Sequence, residues 1–442
     1  MKGKTCGLLC GILIFLSGIL TSYQLQGTML PPERHSVAVG EPLRIKFPAS
    51  VEKNLKVKII ENENKTLSEN FNTREHLFGM TPFSSQPGQL KLRLSLFGVI
   101  PVRDMIVSIV PELRVIPGGQ SIGVLLHSQG IVVVGNYDLQ DESGRKINPA
   151  AEAGIKCDDI ILKIGGETAR SDSQVRGLAA KAGAAGQPLT IEVKRGEKVF
   201  VTQLKPVFCK ETLRYRIGLM IRDSAAGVGT LTFYEPESMS YGALGHIVND
   251  TGTNRPVDLG DGKIVGATVQ GIFKGKRGQP GEKIGMFKED DLLSGTVTRN
   301  TKLGIFGYLQ KPVKNMAFQE PIPVATLDQI HEGPAEMMTV LKGEKIEKYC
   351  LEIIKINPQA RQDGKGLVLQ VSDPQLLEET GGIIQGMSGS PIIQDGRLVG
   401  AVTHVFVNDP TKGYGVPAEW MLWEGDLLPV RGAFEENRKK AG

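Results

Sequence analysis

The chain has 442 residues, and its 52 Lys and Arg against 48 Asp and Glu give a formal charge of only +4 at pH 7. This length is too great for one ordinary core and predicts two to four domains of roughly 100 to 200 residues each. No dense basic face accompanies the small charge, which argues against a nucleic acid partner. The 54 glycines and 25 prolines favour short strands joined by turns, and so predict a mainly β protein.

Residues 1–26 have the pattern of an export signal. Lys2 and Lys4 precede an almost unbroken apolar run from Cys6 to Leu20. The length of this run lies between that of a cleavable signal peptide and that of a short membrane anchor. Either interpretation predicts an exported chain, secreted or tethered to a membrane, and we favour the retained anchor because no Ala-x-Ala cleavage site is present.

The cysteines and histidines do not form a metal-binding or disulfide pattern. Outside the leader, Cys157, Cys209 and Cys350 are widely separated, which is no disulfide framework, and whether any of them pair stays open. There is no Cys-x-x-Cys pair and no His-Glu-x-x-His, and the six histidines are scattered. We therefore expect neither a metal nor another cofactor.

Residues 27–110 are predicted to form a small β-rich domain. Short stretches at residues 43–47, 55–59 and 90–94 alternate aliphatic side chains with Lys or Arg. This period of two places the aliphatic side chains on one face and indicates an antiparallel sheet or sandwich. Prolines and glycines at positions 111 and 117–119 separate it from the next region.

Residues 111–206 resemble the PDZ domains that are attached to exported bacterial proteases. The resemblance rests on Pro-Ala-x-x-Ala-Gly at residues 149–154 before an apolar strand, with Asp158 where that family usually has glycine. Asp tolerates a left-handed backbone, so the turn is expected to survive. Ile122, Gly123 and Val124 are predicted to aim backbone N–H groups at a peptide's terminal carboxylate, with a helix at 173–184 beside the groove. The alternative is a β-rich spacer that binds nothing.

Residues 207–442 contain the motif with the clearest chemistry, Gly-Met-Ser-Gly-Ser-Pro at positions 386–391. It leads into two apolar runs joined by Asp395 and Gly396, which predict a tight hairpin. Glycines let the backbone approach a substrate, and the N–H groups of Gly386 and Ser388 can point together at a developing oxyanion. The alternative is an ordinary Gly/Ser turn.

A serine nucleophile needs a base, and His246 is the preferred candidate. It follows an apolar strand and small residues, upstream of Ser388, in the order that chymotrypsin-like enzymes use. His404 could line the cleft. Four aspartates are available to orient the imidazole, and spacing alone does not choose among them: Asp250, Asp258, Asp261 and Asp373.

The serine loop resembles the Gly-x-Ser-Gly-x-Pro loop of chymotrypsin-like proteases. Together with the stretches at 215–219, 225–230 and 245–246, it is similar to the SpoIVB family of sporulation serine peptidases. That resemblance implies a chymotrypsin-like double β-barrel after the PDZ domain, with His246, Asp373 and Ser388 as catalytic residues. Asp373 closely precedes the serine, unlike the orienting aspartate of chymotrypsin-like enzymes, so it either orients the base or shapes the substrate pocket or loop.

The resemblance also implies a biological role. A member of this family would be an exported serine endopeptidase, located in the space between the forespore and mother-cell membranes, that cleaves itself and a target in a membrane complex. This cleavage would activate late mother-cell sigma-factor signalling, and the PDZ domain would bind the protein's own chain or the target. Two alternatives stay open: a catalytically silent PDZ adaptor and a broad-specificity quality-control protease.

Overall fold

The computed structural model describes residues 34–43, 54–62, 86–250, 255–288 and 293–428. Strands make up 55% and helices 10%, which confirms the mainly β prediction. The chain divides into two compact units, Met1–Leu113 with Val324–His331, and Arg114–Pro323 with Glu332–Gly442. Among the described residues, no helix is long and apolar enough to cross a membrane. The predicted leader at 1–26 lies outside the described residues.

The described part of the first unit contains a four-stranded sheet. Its strands are β1 (Arg34–Ala38), β2 (Leu55–Asn62), β3 (Gly88–Leu96) and β4 (Ile100–Val110), in the order β1-β4-β3-β2. The alternating pattern buries Leu90, Leu92 and Leu94 on one face of β3, as predicted. The strand predicted at 43–47 falls almost entirely outside the described residues. A short 3-10 helix, Leu327–Gln329, also belongs to this unit.

The second unit begins with a sheet and two helices over residues 114–216. The strands are β5 (Arg114–Pro117), β6 (Ser121–Asn136), β7 (Leu139–Gln140), β8 (Lys146–Ile147), β9 (Ile160–Ile164), β10 (Glu167–Thr168), β11 (Leu189–Arg195), β12 (Lys198–Leu204), β13 (Val207–Cys209) and β14 (Arg214–Arg216). The helices are α1 (Pro149–Glu152) and α2 (Asp172–Ala184).

The PDZ-like part of this unit is an antiparallel sheet covered by α2. The second half of β6 pairs with β9, β9 with β11, and β11 with β12. Helix α2 lies where a helix was predicted, begins at an N-cap in which Ser171 accepts from Gln174 N, and buries Val175 and Ala179 against the sheet. Asp158 has φ = 69°, the left-handed conformation expected at that turn.

Two closed barrels follow. The next strands are β15 (Leu219–Tyr234), β16 (Ser240–Ala243), β17 (Leu259–Phe273), β18 (Glu282–Lys288), β19 (Ser294–Thr301), β20 (Gly304–Leu309) and β21 (Ile322–Pro323). The pairings run β6-β17-β19-β20-β16-β15 and return to β6, which closes a six-stranded ring. Its interior is aliphatic, with Leu126, Leu231 and Ile264 fully buried.

The second barrel contains β22 (Gly333–Val340), β23 (Ile346–Ile356), β24 (Leu367–Val371), β25 (Pro391–Gln394), β26 (Arg397–Phe406) and β27 (Asp409–Pro417). They close in the order β22-β23-β24-β27-β26-β25. A 3-10 helix, Ala360–Asp363, and helices α3 (Pro374–Thr380) and α4 (Ala418–Glu424) complete the unit. Asp395 and Gly396 form the predicted β25–β26 turn, both at positive φ.

Strands β6 and β15 are each shared by the PDZ-like sheet and the first barrel. Residues 121–127 of β6 pair with 224–230 of β15 inside the barrel, and residues 132–136 pair with 219–222 beyond it. The PDZ-like part is therefore inserted between the first and second strands of the barrel. The boundaries predicted from sequence, 111 and 207, assign all of β6 to the PDZ segment. The residues of a long strand do not mark the point at which it changes partners.

Candidate active site

The serine loop lies where the two barrels meet. Ser388 sits just before β25 of the second barrel, and His246 follows β16 of the first. Thr230 of β15 joins the two: its N–H donates to the Ser388 carbonyl at 2.9 Å, and its Oγ1 donates to the Gly386 carbonyl at 2.9 Å. Thr232 Oγ1 likewise donates to the Gly389 carbonyl at 2.8 Å. One strand of the first barrel thus fixes the serine loop of the second.

The close packing at this junction requires glycine at position 389. Gly389 has φ = 92°, and a Cβ there would lie 2.1 Å from the Thr230 carbonyl oxygen and 2.5 Å from Leu244 N. Both are backbone atoms that cannot move aside independently. Leu244 begins the turn that carries His246, so the loops bearing the serine and the histidine are both packed around Thr230.

Two amides of the serine loop are available to a ligand. In the described residues, the N–H groups of Gly386 and Ser388 donate to no protein acceptor, whereas Met387 N donates to the Ile384 carbonyl at 3.1 Å and Gly389 N to the Val402 carbonyl at 2.7 Å. Gly386 has φ = 91°. Alternate amides on one loop can therefore converge on a substrate oxygen, the arrangement that an oxyanion hole requires.

The Ser388 hydroxyl is half-buried and points towards the second barrel. Its Oγ donates to the Thr403 carbonyl at 2.7 Å, and no hydrogen bond joins it to the His246 ring among the described contacts. Thr403 is held in turn, because its Oγ1 donates to the Tyr414 carbonyl at 3.1 Å. In this conformation the Ser388 proton points at the Thr403 carbonyl, and contacts between a nucleophile and a base are often loose without substrate.

His246 has the tautomer that a general base needs. Its Nδ1 lies 2.8 Å from the carbonyl of Ile247, which can only accept, so Nδ1 carries the hydrogen and Nε2 is left to take a proton. Burial lowers the pKa of His246, although the bond to Ile247 opposes this shift. The imidazole is therefore neutral near pH 7.

His404 lies beside His246, and that it lines a substrate cleft stays a prediction. The two ring centroids are 5.0 Å apart and the planes are tilted by 43°. Partial burial, followed by the charges of His246 and Lys365, lowers the pKa of His404 to about 4. His404 is thus uncharged at neutral pH and adds no positive charge beside the base.

Asp373 is placed as a helix cap. Its Oδ1 accepts from Leu376 N at 3.0 Å, which caps α3, and its Oδ2 accepts from Cys350 N at 3.1 Å. Neither oxygen contacts His246. The structure does not bring Asp373 to the base, and it gives this carboxylate a role in fixing β23 to α3.

The other candidate carboxylates are paired elsewhere. Asp250 contacts Arg222 at 3.2 Å, Asp258 contacts Lys194 at 3.4 Å, and Asp261 contacts His127 at 2.8 Å. Within the described residues, the group on His246 Nδ1 is therefore a backbone carbonyl and not an aspartate.

Asn300 of β19 is a residue that the sequence analysis missed. Its Oδ1 accepts from Val248 N at 2.8 Å, and its Nδ2 donates to the carbonyls of Val248 at 2.9 Å and Val257 at 3.2 Å. This side chain holds the segment that follows His246. A single asparagine in a polar strand gives no sequence signal for such a contact.

The structure does not place Ile122, Gly123 and Val124, the predicted carboxylate-binding loop, in a loop. These residues lie in the middle of β6, paired with 227–229 of β15 on one side and with 264–266 of β17 on the other. Ile122 and Val124 are buried in the barrel core. Their backbone groups are already engaged in the sheet, so they cannot receive a peptide terminus.

The chain beside α2 is instead residues 214–223. Asp172 N at the start of α2 donates to Asp223 Oδ2 at 3.1 Å, and Gly183 near its end packs on the ring of Tyr215. Gly218, between Ile217 and Leu219, has φ = 70°. The Ile-Gly-aliphatic pattern at 217–219 repeats that at 122–124, and it was the available signal for this second location.

Comparisons with known proteins agree with this architecture. The chain matches the SpoIVB peptidase S55 family over residues 213–422 and the PDZ domain family over residues 122–205. No match to a curated protein was found. The inactive form of Rv3671c protease is similar at 12% identity and a TM-score of 0.27, covering 46% of this chain and 85% of its own. Human heparin binding protein is similar at 9% identity and a TM-score of 0.26, covering 46% and 88%. At these TM-scores neither structural similarity carries an argument.

Proposed function

We propose that this chain, a SpoIVB-like serine endopeptidase with a PDZ domain, uses Ser388 as its nucleophile and His246 as its general base. The observation that carries this assignment is the pair of available amides, Gly386 N–H and Ser388 N–H, on a loop that Thr230 holds against the turn bearing His246. A serine whose own N–H is free together with that of Gly386, on a loop packed against the turn that carries a neutral imidazole, is the arrangement that acyl transfer needs.

The reaction then follows from these positions. The Ser388 hydroxyl turns from Thr403 towards His246, whose Nε2 takes the proton as Oγ attacks the peptide carbonyl. The two loop amides stabilise the negative oxygen of the tetrahedral intermediate. His246 then returns the proton to the leaving amine, and water, activated in the same way, releases the acyl group. The carbonyl of Ile247 accepts from His246 Nδ1 and so orients the imidazole.

The biological role that we propose is sporulation signalling. The support is the similarity to SpoIVB peptidases together with the leader pattern at residues 1–26. The protein would be exported from the forespore into the intermembrane space, tethered or secreted, where it would cleave itself and a target within a membrane complex. This cleavage would activate late mother-cell sigma-factor signalling.

The PDZ domain would recruit the protein's own chain or its target. A peptide would add to the strand beside α2, at residues 217–223 rather than at 122–124, because only there does the chain run along the helix with one strand neighbour among the described pairings. Since β15 continues from this segment to Thr230, peptide binding and the serine loop share one strand.

Fluorophosphonate labelling of the purified protein tests the catalytic assignment. We expect the wild type to label and Ser388→Ala to be unlabelled, while His246→Ala labels at least about 100-fold more slowly. Ser390→Ala is the matched control, because Ser390 lies in the same loop and its buried hydroxyl has no hydrogen-bond partner within the part of the chain that the structure describes. Labelling of Ser388→Ala at the wild-type rate would overturn the assignment.

A further inference from the structure

Lys283 is a buried amine directly beneath the serine loop. It lies in β18, and its side chain is 1% exposed. A Cβ built on Gly386 would lie 3.0 to 3.2 Å from the Cβ, Cγ and Cδ atoms of Lys283. The methylenes of this lysine therefore form the floor on which Gly386 rests.

The backbone of Lys283 holds the neighbouring peptide group. Lys283 N donates to the Gln385 carbonyl at 2.9 Å, and Gln385 N donates to the Gly281 carbonyl at 2.8 Å. The Gln385 carbonyl and the Gly386 N–H are the two ends of one planar trans peptide, so they point in opposite directions. Fixing the carbonyl towards β18 turns the Gly386 N–H away from β18.

The amine of Lys283 ties this arrangement to the second barrel. Nζ donates to Thr339 Oγ1 at 2.7 Å, and Thr339 is fully buried in β22. No carboxylate contacts this amine among the described residues, and burial lowers the pKa of Lys283 to about 7. Burying this amine costs desolvation free energy that an aliphatic side chain of similar size would not. The lysine therefore lowers the stability of the fold relative to such a side chain.

We propose that Lys283 is a positioning residue that holds the Gln385–Gly386 peptide in the orientation in which the Gly386 N–H binds the oxyanion. This inference rests on the proposed function, because it presumes that Ser388 is the nucleophile. A half-turn of the peptide would direct the Gly386 N–H into β18 and present a carbonyl to the negative oxygen. The methylene floor and the Lys283 N–H oppose that rotation.

The test compares variants of the purified protein in hydrolysis of a p-nitrophenyl ester and in inhibition by an arylboronic acid, which forms a tetrahedral anion on serine. Lys283→Ala removes the floor, and we expect kcat to fall about 100-fold, as for loss of one oxyanion donor, with KM changed less than about twofold. The affinity for the boronic acid should fall by the same factor as kcat/KM, because the tetrahedral adduct that it forms resembles the transition state. Lys283→Met keeps the Cβ and Cγ methylenes and places a sulfur at the δ position, so it fills the same space beneath Gly386 and should stay within about fivefold of the wild type.

Phe287→Leu is the matched control. Phe287 is the other large side chain that points inward from β18, and it packs on Gly123 rather than on the serine loop. We expect its kinetics to match the wild type. Unchanged kcat and boronic acid affinity in Lys283→Ala, or an equal loss in Phe287→Leu, would overturn the proposal. If Lys283→Ala does not fold, Lys283→Val, which lacks the Cδ methylene and everything beyond it, replaces it with the same two readouts and a smaller expected loss.

Ser388→Ala separates this proposal from the one on which it rests. Ester hydrolysis that survived in Ser388→Ala would refute the nucleophile assignment, whatever the Lys283 variants do. An inactive Ser388→Ala beside a fully active Lys283→Ala would refute only the positioning role.

Discussion

Two glycine-containing segments of this chain were both predicted to offer free backbone N–H groups to a ligand, yet the fold uses them in opposite ways. The loop around Ser388 keeps two amides free, whereas Ile122, Gly123 and Val124 lie in a strand that is paired on both sides. Both segments place small residues beside aliphatic ones. Whether a backbone is available to a ligand is therefore decided by the strands that come to lie beside it, and a local glycine pattern cannot show this.

The largest expected effect comes from adding a methyl group to each segment. Gly389→Ala places a Cβ against the backbone of Thr230 at positive φ, so we expect fluorophosphonate labelling to fall at least about 100-fold. In Gly123→Ala the nearest atoms to the new Cβ belong to the ring of Phe287, a side chain that can shift, and φ at this position is ordinary. It should lower the free energy of unfolding by about 1 to 3 kcal/mol but leave labelling of the folded protein unchanged. Equal labelling in the two variants would remove the distinction between the segments.

Thr230→Val tests how β15 holds the serine loop. The change keeps the side-chain shape but leaves the buried Gly386 carbonyl without its 2.9 Å hydrogen bond. We expect the free energy of unfolding to fall by about 1 to 3 kcal/mol, measured by urea denaturation, and labelling to slow as well. Thr230→Ser keeps the donor and should restore the labelling rate; slow labelling in both variants would show that the hydroxyl is not the cause.

Asp373→Ala tests a residue whose catalytic role was inferred only from the family resemblance. Loss of the cap on α3 should lower the free energy of unfolding by about 1 kcal/mol, while Asp373→Asn, which also caps helices, should lose less. We expect both folded variants to label at close to the wild-type rate. Loss of labelling in a stable, folded Asp373→Asn would instead give the carboxylate a direct part in catalysis.

The smallest expected effect concerns pH. A general base must be neutral, and burial lowers the pKa of His246, so the acid limb of kcat/KM should fall below pH 6.5. His404→Asn should leave activity between pH 6 and 8 nearly unchanged, because His404, with a pKa of about 4, carries no charge there. A pH profile of ester hydrolysis checks both, and an acid limb above pH 6.5 would contradict the environment described for His246.

Much of the fold followed from local sequence, since local contacts determine those features. The alternation at residues 90–94, the helix at 173–184 and the Asp395–Gly396 turn each depend on neighbouring residues, and the structure contains all three. The Ser388 loop belongs with them, because its glycines and the following hairpin are contiguous.

The rest depends on contacts between distant residues. The insertion of the PDZ-like part follows from β6 and β15 changing partners midway, which no residue in either strand marks. Asn300 meets the segment after His246 across 52 positions, and Lys283 reaches Thr339 across 56. Asp373 shows the converse: its local Asp-Pro pattern fits the helix cap that it forms, while the catalytic role came from resemblance alone.

The most direct test of the central claim is to locate the fluorophosphonate adduct by tandem mass spectrometry after digestion of the labelled wild-type protein. The arrangement of free amides around one serine predicts a single adduct, on Ser388, and none on Ser390 two residues away. An adduct on another serine, with Ser388 unmodified, would contradict the assignment of this loop as the nucleophile loop.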